Sequence, residues 1–395
     1  MNQNWQIKRL GEVCEFYRGL TYSKKDEVES SNNVVLRSNN IDLLTNKLDF
    51  SEIKYISNKI NIDDSKKVKK GTLLICTANG SKAHLGKVAL IDSNYDYAFG
   101  GFMGLIKPAD NIYPAFLFYQ MTSYRYKKFI KSLSDGANIN NLKFNDLAQF
   151  DISIPPLEEQ KRIVDVLDKK FAQIETLKTA AEKNLQNTKQ LFQAELEKAF
   201  SNSSWEKKRL DEVCAITSKL VDPTQPEYLD LYHVGGANIE SETGIIIDLK
   251  TSKEEGLSSG KFTFDESMVL YNKIRPYLKK VARPDFSGLC SADMYPLNPK
   301  GNITKDYLYY ILISDNFTEY AISKSGRAGM PKVNREALFA YECYLPPLEE
   351  QKRIVAHLDS LCEKVHQLEE IYTKQLADCD ELKQAFLQKA FEGEL

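Results

Sequence analysis

Apolar residues step by three or four through two long stretches of the chain, and that pattern organises everything else. After Pro155-Pro156 the first stretch reads Ile163, Leu167, Phe171, Ile174, Leu177, Ala181 and Leu185, and it resumes at Phe192, Leu196 and Phe200. The second reads Ile354, Leu358, Leu361, Val365, Leu368, Tyr372, Leu376, Cys379, Leu382, Phe386 and Ala390. The spacing predicts amphipathic helices, free of proline and glycine, of about 40 residues and so about 60 Å each at 1.5 Å per residue. Each opens on two prolines, where a missing N–H costs nothing, and two glutamates that suit the positive end of a helix dipole. A single narrow apolar stripe on so long a helix needs cover, and the simplest cover is the other helix.

Both stretches begin with the same words. PPLEEQKRIV occupies Pro155–Val164 and recurs unchanged at Pro346–Val355, 191 residues on, and Ala-Phe closes each run at the same offset (Ala199-Phe200, Ala390-Phe391). Upstream, Trp5, Lys8-Arg9-Leu10 and Glu12-Val13-Cys14 return as Trp205, Lys208-Arg209-Leu210 and Glu212-Val213-Cys214. One unit is therefore written twice, with constant ends around divergent interiors. Equal units normally pair about a two-fold axis, which sets corresponding helices side by side and antiparallel. The expectation is a dumbbell. Residues 1–154 and 201–345 form its two domains, and helices within 155–200 and 346–395 form the spacer.

Within the interiors, short runs read as strands: Val34–Leu36, Thr72–Cys76, Lys87–Ile91 and Gly104–Lys107 in the first, and Ile245–Leu249, Lys261–Phe264, Met268–Tyr271 and Lys280–Ala282 in the second. Aromatic-rich helices are predicted over Pro114–Lys131 and Thr304–Lys324. The class is α+β: two mixed α/β domains, two long antiparallel coiled-coil helices and an internal pseudo-two-fold repeat.

Charge changes this picture once it is counted by segment. The whole chain carries −2, but residues 1–150 hold 21 Lys+Arg against 15 Asp+Glu, whereas residues 346–395 hold 6 against 11. The second interior, residues 201–345, is nearly neutral, with 18 against 20. A basic first domain suits nucleic acid, and an acidic last helix suits a protein partner. Seven cysteines without a C-x-x-C pair fit reduced thiols in the cytoplasm. No run approaches the length that spans a bilayer, and no membrane role is expected.

Catalytic signatures are scarce. Gly80–Val88 (GSKAHLGKV) imitates a phosphate-binding loop, but five residues separate its glycines where four are needed, and Val88 replaces the magnesium-binding hydroxyl. Gly256–Gly260 fits G-x-S-x-G without the strand and helix that such a nucleophile requires. His84, His233, His357 and His366 form no metal-ligand spacing. There is no glycine-rich dinucleotide fingerprint and no Asn-Pro-Pro-aromatic tetrapeptide, so the chain reads as a binder with no catalytic residue, metal site or cofactor of its own.

Polar loops offer the binding surface. In the first domain these are Arg37, Asn39 and Asn40; Thr77, Asn79, Ser81 and Lys82; and, in Ser134–Asn141, Asn138 and Asn140. In the second they are Asn238; Asn272, Lys273, Arg275, Tyr277 and Lys279; and Arg327 in Ser325–Gly329. Asn and Arg read adenine and guanine edges bidentately, while Lys, Ser and backbone N–H groups hold phosphates. Both interiors place such loops at corresponding offsets with different letters.

These features together resemble the specificity subunit of a Type I restriction-modification system. The resemblance spans the whole chain and is carried by the duplicated PPLEEQKRIV helix and the Trp…Lys-Arg-Leu…Glu-Val opening. Leu85-Gly86-Lys87-Val88-Ala89 and Lys273–Lys280 also fit. It implies two target recognition domains, each reading half of a split site in double-stranded DNA, and helices that bind two modification (methyltransferase) subunits, with restriction (translocase/nuclease) subunits joining. S-adenosylmethionine, ATP and Mg would then belong to those partners. A separate specificity chain of a Type IIB-like nuclease-methyltransferase, and a coiled-coil protein-interaction scaffold, are the alternative readings.

Overall fold

The computed structural model describes residues 5–134, 141–326 and 329–395. Each half is closed at its stem by the constant opening. Gln6–Arg9 pairs antiparallel with Asp151–Ile154, Gln6 opposite Ile154. Glu206–Arg209 pairs with Glu342–Leu345 in the same register, Glu206 opposite Leu345. Leu10, Val13, Leu210 and Val213 are buried beneath these clasps. Leu10 N donates to Phe150 O at 2.8 Å and Leu210 N to Tyr341 O at 2.9 Å. The opening recurs because it pairs with the strand that feeds the two prolines.

Inside each clasp lies an antiparallel sheet. In the first half its order is Cys14–Arg18, Met103–Pro108, Leu73–Cys76, Val88–Leu90, and in the second Cys214–Ala215, Met294–Pro299, Val269–Asn272, Val281–Ala282. Successive side chains of a strand point to opposite faces, and here both faces are covered. Leu73 and Ile75 join Leu117, Met121 and Ile130 from the helices. Leu74 and Cys76 join Leu36 and Phe99 from a second sheet. That second sheet contains one parallel pair in each half, Asn33–Leu36 with Tyr97–Phe99 and Tyr232–Val234 with Gly288–Cys290.

Two expectations are corrected. The aromatic helices are each broken in two, Pro114–Gln120 with Tyr124–Ser134 and Lys305–Ile313 with Asp315–Ser323. A serine makes each break. Ser123 Oγ donates to Gln120 O at 2.7 Å, and Ser314 Oγ donates to Ile311 O at 2.7 Å while accepting from Phe317 N as the next helix's cap. The strand expected over Ile245–Leu249 does not form. Glu242, Gly244 and Asp248 take left-handed φ values of 67°, 69° and 51°, which coil the segment and leave a single bridge between Ile239 and Ile246.

The long helices run from Leu157 to Phe200 and from Leu348 to Glu392. Two compact units divide them. One comprises the chain to Ala181 together with Lys374–Leu395, the other Glu182–Thr373. Within the first unit Ile163, Val164 and Leu167 pack against Leu387 and Ala390, and Lys178 Nζ lies 3.1 Å from Asp380. Within the second, Phe192 and Leu196 share a cluster with Ile354, Val355 and Leu358. In both units the helices are antiparallel. The apolar stripe is not sealed along its length: Leu177, Leu368 and Leu382 remain exposed. Two helices cover only a narrow seam, and residues beside it still face outward.

The decapeptide has a further structural duty. Gln160 and Gln351 are fully buried. Gln160 Oε1 accepts from Tyr113 N at 2.8 Å, and its Nε2 donates to Asn111 O at 3.0 Å and Pro155 O at 2.9 Å. Gln351 repeats this with Thr304 N, Asn302 O and Pro346 O at 2.9, 2.6 and 2.9 Å. A second tether joins the Tyr119 hydroxyl to Asp168, and the Tyr310 hydroxyl to Asp359 at 2.6 Å. Arg283 reinforces the latter, reaching Asp306 at 3.0 Å and Asp359 at 2.5 Å.

Candidate nucleic-acid interface

Loops at the ends of the sheet strands carry the candidate residues, and the structure sorts them into two groups. Some hold the loops in shape. Asn40 is fully buried: its Oδ1 accepts from Arg37 N at 2.8 Å, and its Nδ2 donates to Asp49 O and Glu52 O at 2.8 and 2.9 Å. Asn238 makes the same staple, accepting from Gly235 N at 2.9 Å and donating to Ile247 O and Asp248 O at 3.1 Å each. Asn-Ile followed by an acid is thus a repeated hairpin base, and both amides are spent on backbone.

Thr77 is buried and donates to Phe102 O at 2.9 Å, while buried Asn272 accepts from Ile274 N at 3.2 Å. Lys273 is buried too. Its Nζ donates to Ala292 O at 2.5 Å and sits 5.0 Å from the centre of the Tyr295 ring, and burial pulls its pKa below the usual lysine value. Lys279, buried with a φ of 47°, pairs with Asp315. Lys87 of the phosphate-loop decoy points inward, donating to Ile41 O at 2.7 Å.

Others face outward and converge. In the first unit a cleft of about 860 Å³ is lined by Arg37, Asn39, Asn79, Gly100-Gly101 and Phe102, with Tyr22, Lys24, Glu27 and Glu52 among its other walls. Asn79 Nδ2 donates to Ser38 Oγ at 2.5 Å, tying two of the loops together. Its Oδ1 accepts from Ser81 N at 2.9 Å, and the exposed Ser81 and Lys82 follow. Arg37 Nε is buried without a hydrogen-bond partner among the described residues. Such a donor is costly to leave unpaired, and an acceptor entering the cleft would satisfy it.

In the second unit Arg275 occupies the place of Asn79, since the preceding residues make matching bridges, Ala78 with Asn141 and Ile274 with Lys332. Arg275 has a left-handed φ of 51°, strained for a residue with a side chain, and is held there by its N–H to Pro331 O at 2.8 Å. Its side chain and that of Tyr277 are exposed. Asn138, Asn140 and Arg327 lie outside the described residues. Sequence reasoning missed Phe102 and the acids of the cleft. The available signal was an aromatic directly after the turn-forming pair Gly100-Gly101.

Burial pushes the Cys14, Cys214 and Cys290 thiols up to about 12, so they pack as small apolar side chains. Among the described residues no group of three or more His, Cys, Asp or Glu is placed to hold a metal ion.

Two sandwiches with corresponding loops and different side chains, each tethered to its own segments of the long helices, define a duplicated recognition module. The chain belongs to the family of the Type I restriction modification DNA specificity domain, whose model matches residues 2–186 and 202–376. It is 32% identical over 295 residues, 66% of each chain, to the Type I restriction enzyme EcoDI specificity subunit of Escherichia coli. The StySPI specificity subunit of Salmonella potsdam is 25% identical across 100% of this chain and 89% of its own length. The fold matches a chain from a structure of type I R-M system assembly and conformational transition, with a TM-score of 0.80, 22% identity and coverage of 100% and 99%. It also matches the HsdS subunit from Thermoanaerobacter tengcongensis, with a TM-score of 0.61, 21% identity and coverage of 100% and 98%.

Proposed function

We propose that this chain is the non-catalytic specificity subunit of a Type I restriction-modification complex in the cytoplasm, and that each unit reads one half of a split site in double-stranded DNA. The long helices dock two modification subunits, restriction subunits join them, and S-adenosylmethionine, ATP and Mg are bound by those partners. The observation that carries the reading is the pair of corresponding loop sets, built on the same Asn40 and Asn238 staples and different in exposed side chains, as two readers of different sequences require. The purified chain alone is expected to bind DNA weakly and to transfer no methyl group. With its modification subunits it should methylate adenines within one bipartite sequence, seen by methylome sequencing. Methyl transfer by the chain free of partners, or methylation without a split motif, would overturn the assignment.

Within the loops, Arg275→Ala and Asn79→Ala should each weaken binding to the cognate duplex by about 1–3 kcal/mol, the worth of a side chain reading a base edge. Titrations on cognate and scrambled duplexes at several salt concentrations check this. Equal losses on both duplexes would assign the residue to the phosphate backbone instead.

A further inference from the structure

At the turn that enters the strands Met103–Pro108 and Met294–Pro299, the two units share a backbone and differ in the side chain displayed. In the first, Gly100 N donates to Leu36 O at 2.8 Å, and Met103 N donates back to Gly100 O at 2.8 Å. Phe102 O accepts from Thr77 N and Ala78 N at 2.9 and 3.1 Å. In the second, Ser291 N donates to Val234 O at 3.0 Å, Met294 N to Ser291 O at 2.9 Å, and Asp293 O accepts from Lys273 N at 3.2 Å. Phe102 and Asp293 therefore occupy one structural position, pinned through the main chain and leaving the side chain free to vary.

The two side chains offer different chemistry to whatever meets this turn. Phe102 is 73% exposed and lines the cleft that Arg37, Asn39 and Asn79 also line. The ring contributes little to the core, and a ligand entering the cleft would gain by covering its apolar surface. The Asp293 side chain is 61% exposed, with Lys273 Nζ 3.7 Å away. A carboxylate on a DNA-facing loop is repelled by phosphates, and a hydrogen bond accepted from a base offsets that cost. In the major groove, apolar side chains meet the thymine methyl and carboxylates accept from the cytosine amino group.

We propose that this turn position is a specificity determinant in each half: Phe102 packs on the 5-methyl group of a thymine, and Asp293 accepts from the N4 amino group of a cytosine. The inference rests on the DNA-reading function proposed above. The test is selection of randomised duplexes on the full chain in complex with its modification subunits, as wild type, Phe102→Ala, Phe102→Leu and Asp293→Ala. Phe102→Ala should lose preference at a single position of one half-site, Asp293→Ala at a single position of the other, and Phe102→Leu should keep the thymine. Uracil in place of that thymine should weaken wild-type binding by about fourfold, the worth of one buried methyl group, and leave Phe102→Ala unaffected. If the wild type selects a split site and the variants retain every letter of it, or lose affinity for all duplexes alike, the position does not read bases while the DNA-reading function stands. If the wild type selects no sequence, that function fails and the inference with it.

Discussion

Exchanging residues 1–154 for the corresponding domain of a relative is expected to change one half of the methylated site and leave the other half as it was. The size of the effect follows from the number of contacts. A domain reading even three base pairs, at about 1–3 kcal/mol for each mismatch, shifts its preference by several orders of magnitude. The exchange is structurally permissible because the join is made largely of main chain. The stem clasp pairs Gln6 with Ile154 through backbone bonds, and Gln160 grips the N–H of Tyr113 and the carbonyls of Asn111 and Pro155. An incoming domain must supply that backbone geometry, a tyrosine for Asp168 and an apolar surface where Phe116 meets Ile163 and Leu167. Methylome sequencing of a strain carrying the chimaera reads the result. A change in both halves, or in neither, would end the two-reader account.

The second large effect is expected from one amide. Gln160→Leu keeps the volume roughly and removes three hydrogen bonds, leaving the part-buried Tyr113 N–H and the Asn111 and Pro155 carbonyls without that partner. Each such orphan costs about 1–3 kcal/mol, and the added apolar burial returns part of it, so the net loss should be about 2–4 kcal/mol. Gln351→Leu should destabilise the other unit by a similar amount, because its contacts repeat those of Gln160 within a few tenths of an ångström. Urea unfolding of the purified chain measures both. Glu158→Ala is the internal control: it breaks an exposed pair with Lys161 and removes one charge from the helix N-terminus, together worth about 1 kcal/mol or less. A Gln160→Leu midpoint indistinguishable from that control would show that the helix is held to its domain by something else.

The repeat made the long helices and their antiparallel packing legible, since an unbroken period of three to four residues has one simple structural solution. It also located the decapeptide's importance without its cause. Gln160 looks in sequence like any helical surface residue between charges, and nothing local reveals that it turns back onto Asn111 and Tyr113. The loops were found by composition and mis-sorted by it. Asn40 and Asn238 have the side chain of a base reader, but a hairpin base needs the same donors and acceptors and uses them first. Lys273 and Lys279 illustrate the same limit for charge, because their partners, Ala292 and Asp315, come from distant turns of the chain. Phe102 went unnoticed because an aromatic residue is usually core, and its exposure shows only once the turn that carries it has folded.

The first compact unit is assembled from the chain up to Ala181 and from Lys374–Leu395, and this imposes an order on biosynthesis. When the first recognition domain has left the ribosome, Ile163, Val164 and Leu167 still lack Leu387 and Ala390, the residues that will cover them. At roughly 5–20 residues per second, the intervening chain takes on the order of 10–40 s to be made. The second unit, Glu182–Thr373, is continuous and is complete before the first. The half translated earliest is therefore the last to be finished, and for that interval its helix displays a sticky seam that a chaperone, or another nascent copy, could engage.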